Sequence, residues 1–272
     1  MQKKYEVTLP TKEQPFTHFE LGLESNEKQC FADFKIEKTK ELTGVLEELE
    51  QSLEQIKDFV TSLGENDIHS CSTIVAVILR VAHQALDIFQ KESAYIILRS
   101  FKPDGSIDDF KLPRWHQDGY YYAPYCDVFL KEPVLKAAIP LKGAGTLFYR
   151  PTSDELEQFK QLKGDRKQAA ELLVDNTKTV STPTGHGSLF IVGETIHSEP
   201  YIKKQRFFMS VLPGNKKQIQ EYDTKQKMLE NMELEGKSLE EINKATMAYV
   251  MASMQPYLEQ MNESKASVTS TL

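Results

Sequence analysis

The sequence predicts an α+β protein in which a strand-rich centre, a barrel or a sandwich, is flanked by helices on both sides. Three patterns carry that prediction. Apolar residues recur at helical spacing from residue 38 to about residue 90. From Ala94 to Leu212 the chain breaks into about seven short strand-like runs separated by turn residues. Helical spacing then returns from Asn215 onward.

Taken in order, residues 1 to 37 give mixed signals, with Tyr5 to Leu9 alternating like a strand and Pro10 and Pro15 punctuating it. Residues 38 to 63 predict one helix. Leu42, Val45, Leu46, Leu49, Leu53, Ile56, Phe59, Val60 and Leu63 form its apolar stripe, Glu and Lys fill its solvated face, and Gly64 follows as a stop. A second helix is expected from about Ser70 to Gln90. Its centre, Ile74 to Ala82, is apolar almost all round, so it should be buried on more than one side. Both helices suit the outer face of a sheet.

Strands are expected at Ala94 to Phe101, Val134 to Leu141, Gly145 to Tyr149, Thr177 to Thr182, Gly187 to Val192, Thr195 to Glu199 and Arg206 to Leu212. Lys102-Pro103-Asp104-Gly105 is a turn, and Ser153 to Lys163 with Arg166 to Val174 reads as a helical insertion. In the C-terminal part, Ser238-Leu239-Glu240-Glu241 forms a capping box. Met247, Val250, Met251, Met254, Leu258 and Met261 follow at helical spacing, interrupted by Pro256. This Met-rich stripe is expected to be core or a surface for a protein partner. The organisation is therefore an N-terminal segment with helices (1–93), a β core (94–214), C-terminal helices (215–262) and a polar, disordered tail (263–272).

The 272 residues carry a formal net charge of -7, and no basic block stands out, which argues against nucleic acid as a routine partner. Cys30, Cys71 and Cys126 lack CxxC spacing and read as free thiols of a reducing compartment. No secretory leader is visible, and the longest apolar run, Ile74 to Leu79, is too short to span a bilayer. A cytoplasmic folding environment is expected, with the tail Ser264 to Leu272 compatible with an export signal.

The chemistry concentrates at Arg114-Trp115-His116-Gln117-Asp118-Gly119. On a strand His116 and Asp118 share a face, so imidazole and carboxylate can turn to one point, while Trp115 faces the other way into the core. His197 ends the run from Gly187 to His197, and Arg206 opens the strand that follows. Two imidazoles and one carboxylate on one side of a metal suit Fe(II) with open positions for co-substrate and dioxygen. If a turn at Pro200 to Lys204 brings Arg206 back beside His197, a buried guanidinium would need an anion, and a bound dicarboxylate fits.

His-x-Asp, a distal His preceded by a Gly-x-Leu-Phe strand, and an Arg shortly after it resemble the Fe(II)- and 2-oxoglutarate-dependent dioxygenases over roughly residues 94 to 213. That resemblance implies a double-stranded β-helix, or jelly roll. It implies His116, Asp118 and His197 as iron ligands and Arg206 as partner of the distal carboxylate of 2-oxoglutarate. Thr146 and Tyr149 lie where a second carboxylate-binding hydroxyl is often placed. Some members carry Ser two residues after the Arg; here Phe208 stands there, and Ser210, on the same strand face, can take that role. The implied reaction oxidises a small-molecule or protein substrate, by hydroxylation or demethylation, as 2-oxoglutarate becomes succinate. Tyr120, Tyr121, Tyr122 and Tyr125 suit either a packed loop or a substrate lid. Two other readings compete: a catalytically silent barrel that binds a protein through its helical flanks, and a cupin-like metalloenzyme without 2-oxoglutarate, for which Arg206 should face outward.

Overall fold

The computed structural model describes residues 7–102, 112–119, 133–162, 164–201, 203–238, 240–249, 251–252 and 255. The tyrosine run 120–125, Cys126, Pro103–Gly105, Pro256 and the tail lie outside these residues. In chain order the elements are β1 (Phe16–Glu20), α1 (Ser25–Asp33), β2 (Lys40–Val45), α2 (Leu46–Gln51), α3 (Leu53–Thr61), α4 (Ile68–Phe89), β3 (Ser93–Phe101), β4 (Leu135–Lys142) and β5 (Leu147–Tyr149). There follow α5 (Ser153–Gln161), α6 (Arg166–Leu172), β6 (Thr179–Ser181), β7 (His186–Ile191), β8 (His197–Ser198), β9 (Arg206–Gly214) and α7 (Lys216–Leu234). Residues 240–249 are also helical.

The strands form two antiparallel sheets. The larger has the order β1-β7-β4-β9-β3-β2, and the smaller β6-β5-β8. His116 adds one more rung to the smaller sheet by exchanging both backbone hydrogen bonds with His197, each 2.9 Å. The sheets face one another across an aromatic seam. Phe148 of the smaller sheet packs with Phe16, Ala138 and Phe190 of the larger, and its ring stacks on Phe16 at 4.6 Å. No backbone ladder joins the two sheets among the described residues.

Strand alternation divides the larger sheet into two chemical faces. Phe207, Met209 and Val211 of β9 point to the helices, as do Ala94, Ile96 and Leu98 of β3 and Ala137, Ile139 and Leu141 of β4. The rings of Phe31, Phe34 and Phe59 lie 6.1–6.5 Å from that of Phe207. The alternate residues, Arg206, Phe208 and Ser210 of β9 with Lys136 and Ala138 of β4, face the space between the sheets. The outer face is covered chiefly by α4, as its all-round apolar centre predicts. This helix is long and apolar enough to cross a membrane, but 56% of its most apolar window is buried inside the protein. A second, smaller core docks Ile219 and Tyr222 of α7 on Val45, Tyr95 and Leu212.

Two expectations about the N-terminal segment are corrected. Val7 to Leu9 is not a strand, whereas Phe16–Glu20 is, pairing along β7 as an edge of the larger sheet. The single helix over residues 38 to 63 is in fact β2, α2 and α3. Lys40–Val45 pairs with β3 from Lys40↔Ser100 to Val45↔Tyr95, forming the opposite edge. The local sequence Leu-Thr-Gly-Val favours helix weakly, and a free sheet edge offers its backbone a complete ladder. A break at Ser52 then separates α2 from α3.

Candidate metal centre

His116 and His197 are brought together by the backbone rung between them, and Asp118 follows two residues on. One ligand atom from each of the three lies within 4.8 Å of the others, the only such cluster among the described residues. Asp118 Oδ1 is 3.7 Å from His116 Nε2 and 3.6 Å from His197 Nε2. Each imidazole is oriented from behind. His116 Nδ1 donates to the Arg114 carbonyl at 2.8 Å, and His197 Nδ1 to that of Thr195 at 3.1 Å. With the protons on Nδ1, both bare Nε2 lone pairs converge on the same carboxylate oxygen. A hydrogen bond from the far ring nitrogen to a carbonyl fixes the tautomer and leaves the near nitrogen able to act as a ligand.

Local packing holds the frame. Ser198 Oγ accepts from the Arg114 backbone N–H at 2.6 Å, and Trp115 turns away from the site to pack edge-on against Tyr149 at 5.5 Å. Phe190 lies under His197, with ring centroids 4.7 Å apart. Burial holds His116 below the usual imidazole pKa, helped by neighbouring His197, and so favours the neutral, ligating form. Burial alone would raise Asp118, but Lys136, whose Nζ donates to Oδ2 at 2.9 Å, holds its carboxyl well below the usual range.

These groups line one end of a cavity of about 290 Å³ between the sheets. Along the inner face of β9 from there lie Ser210, Phe208 and Arg206. Arg206 is buried to 2% exposure. Its Nε donates to the Ala144 carbonyl at 3.0 Å, its Nη2 to Thr146 Oγ1 at 3.4 Å, and Phe208 stacks on it at 4.5 Å. Burial lowers its pKa to about 10, and it stays charged at neutral pH. No carboxylate among the described residues forms an ion pair with it. Ser210 Oγ is buried without a hydrogen-bond partner among the described residues. The cavity continues past Tyr95, Ile97 and Arg99 to Tyr222, Gln226 and Glu230 of α7. Larger grooves, of about 590 and 780 Å³, lie elsewhere and lack a converging ligand set among the described residues.

Of the residues singled out from sequence, His116, Asp118, His197, Arg206, Thr146 and Ser210 all meet in this cavity. Tyr149 does not. Its hydroxyl pairs with Glu155 at 3.2 Å, and its ring joins Trp115, Ala169, Leu173 and Ile196 on the far side of the smaller sheet. Thr146 and Tyr149 are three residues apart, and an odd separation on a strand places them on opposite faces. Lys136 and Glu199 escaped the sequence reading. Lys136 was the more visible, as a lone charge inside the apolar run from Val134 to Leu141. Glu199 lines the cavity with Oε2 buried and unpartnered, and its charge is felt by both His116 and Arg206.

The sequence matches no protein-family profile and no curated protein. Among solved structures it is similar to a prolyl-4-hydroxylase from Pseudomonas putida, at 10% identity and TM-score 0.35, covering 74% of this chain and 93% of that one. It is also similar to an N-substituted L-amino acid dioxygenase from Burkholderia ambifaria, at 13% identity and TM-score 0.36, covering 75% and 85%. A third is HygX from Streptomyces hygroscopicus, solved with nickel and 2-oxoglutarate bound, at 10% identity and TM-score 0.40, covering 77% and 88%. At such identities the substrates of those enzymes do not transfer to this chain.

Proposed function

We propose that this protein is an Fe(II)- and 2-oxoglutarate-dependent dioxygenase built on a double-stranded β-helix. The observation that carries the reading is the convergence of three ligand atoms from distant parts of the chain, with both imidazoles oriented by carbonyls behind them. Two imidazole lone pairs aimed at one carboxylate oxygen repel it unless a cation stands between them, so the donor set fits a divalent ion. Two nitrogens and one oxygen on one side suit Fe(II) that keeps positions open. The winding supports the fold. From β3 to β9 the chain visits the larger sheet, then the smaller at His116, the larger at β4, the smaller at β5 and β6, the larger at β7, the smaller at β8 and the larger at β9.

The fit extends to the co-substrate. A buried guanidinium without a carboxylate partner among the described residues, a threonine hydroxyl beside it and an orphaned serine hydroxyl on the same strand face make a site for a carboxylate. Arg206 with Thr146 and Ser210 binds the distal carboxylate of 2-oxoglutarate, and His116, Asp118 and His197 hold the iron. When bound, iron with 2-oxoglutarate and dioxygen supplies the oxidising chemistry. The protein orients these groups, with Phe190 and Phe208 supplying apolar walls beside them. The inward burial of Arg206 favours this reading over a cupin-like enzyme without 2-oxoglutarate.

Protein reconstituted anaerobically with Fe(II), then given 2-oxoglutarate and dioxygen, should form succinate. His116→Ala should abolish that turnover and Mn(II) binding while the circular dichroism spectrum is kept. Wild-type protein that takes up neither Fe(II) nor Mn(II) would falsify the reading.

A further inference from the structure

We infer that Lys136 is a positioning residue that ties up one oxygen of Asp118, limits that carboxylate to a single metal bond and keeps the adjoining position open for the co-substrate. This rests on the dioxygenase reading and deepens it. The two oxygens of Asp118 have different partners. Oδ1 faces both imidazole nitrogens at 3.6 and 3.7 Å, and Oδ2 accepts from Lys136 Nζ at 2.9 Å. Both side chains of the pair are only 11% exposed, so the ammonium is held rather than wandering in solvent. β4 supplies the aim. Lys136 pairs in register with Phe190 of β7, and its Nζ lies 5.9 Å from that ring, which in turn packs on His197.

A carboxylate with both oxygens free can grip a cation through one or both. A second oxygen on the metal would occupy a position that a chelating 2-oxo acid needs. A lysine inside an apolar strand is costly to bury, and packing alone would favour an aliphatic residue there.

The test uses the full chain as wild type, Lys136→Met and Lys136→Arg, with Mn(II) and then 2-oxoglutarate titrated calorimetrically, and Co(II) absorption recorded before co-substrate is added. Lys136→Met should bind Mn(II) as tightly as wild type or more tightly, since a neighbouring cation is gone. Its Co(II) spectrum should change as Asp118 takes a second position, and 2-oxoglutarate should bind at least about tenfold more weakly. Lys136→Arg, which keeps donor and charge, should return both to near wild type. Unchanged 2-oxoglutarate affinity with an unchanged Co(II) spectrum in Lys136→Met would overturn the inference. So would loss of Mn(II) binding in both variants, which would make the lysine a folding element only. Failure of wild type to bind Mn(II) would instead remove the dioxygenase reading on which the inference stands.

Discussion

Ser210 separates stability from function more sharply than any other residue in the cavity. Its hydroxyl is buried and bonds to nothing among the described residues, so Ser210→Ala should leave the ligand-free fold unchanged or slightly more stable, because an unsatisfied buried hydroxyl costs about 1–3 kcal/mol. The same change should weaken 2-oxoglutarate about 10- to 100-fold, the worth of one hydrogen bond to a charged group. Thermal unfolding without ligand and calorimetry with it would read the opposite signs; equal losses in both would mean that the hydroxyl serves packing. The residues that sequence singled out and the fold brings together are those whose chemistry is rare enough to be read from type and order: two histidines, an aspartate and an arginine. What it missed depends on strand phase. Thr146 and Tyr149 could not both face the cavity, and which one does is set by the pairing Phe148↔His197, invisible in the chain. Lys136 was legible as an anomaly, but its partner is fixed only by the folded sheets.

The elements show where local pattern yields to tertiary pairing. Leu42, Val45, Leu46 and Leu49 have helical spacing, yet β2 takes the first two because the edge of β3 is free to pair with it. By contrast α4, β3, β4, β7 and β9 were legible to within one or two residues at each end, because long apolar runs bounded by turns leave few alternatives, whereas β5, β6 and β8 fill only part of the runs expected for them. The approach of β5 to β6 is tight at Gly145, where a Cβ would sit 2.1 Å from the Thr182 carbonyl oxygen and 2.9 Å from its Cβ. Gly145→Ala must therefore move backbone. It should cost about 1–3 kcal/mol by overpacking and, since Thr146 is next in the chain, weaken 2-oxoglutarate as well. Retained affinity in a destabilised variant would show that Thr146 is dispensable. On the outer side of the smaller sheet, Lys178 and the N-terminus of α5 hold the Glu155 carboxyl at about 2, below its ordinary value. The folded state thus binds the proton more weakly than the unfolded chain. The stabilisation is complete above the unfolded pKa of roughly 4.3 and fades as pH falls toward 2. Glu155→Gln, which keeps a capping side chain, should flatten that acid limb of the stability profile, its loss of stability showing at pH 7 and vanishing as pH falls toward 2.

At the scale of the molecule, the two sheets divide the work. The smaller sheet, with the rung at His116, holds the His116, Asp118 and His197 cluster; the larger carries the strand of Arg206 and Ser210 and, through β2 and β3, meets α7. The Met-rich stripe expected to be core or a partner surface lies beyond α7, with Met247 and Met251 exposed, whereas helix α7 is a wall of the cavity, contributing Tyr222, Gln226 and Glu230. Its hold on the sheet rests on Ile219, fully buried against Val45, Tyr95 and Leu212, and on the edge-to-face contact of Tyr222 with Tyr95 at 4.9 Å. Ile219→Ala should cost about 2–5 kcal/mol, with a fall in Tm of about 2–4 °C for each kcal/mol in a chain of this size. Because the ligand triad is built on the other sheet, Mn(II) affinity measured well below the new Tm should stay within about twofold of wild type, as expected for sites without shared partners. Hydrogen exchange should rise in α7 and at the start of β3 but not around His197. If Mn(II) affinity instead falls in step with stability, the helix and the metal centre form one cooperative unit, and the division of labour between the sheets is wrong.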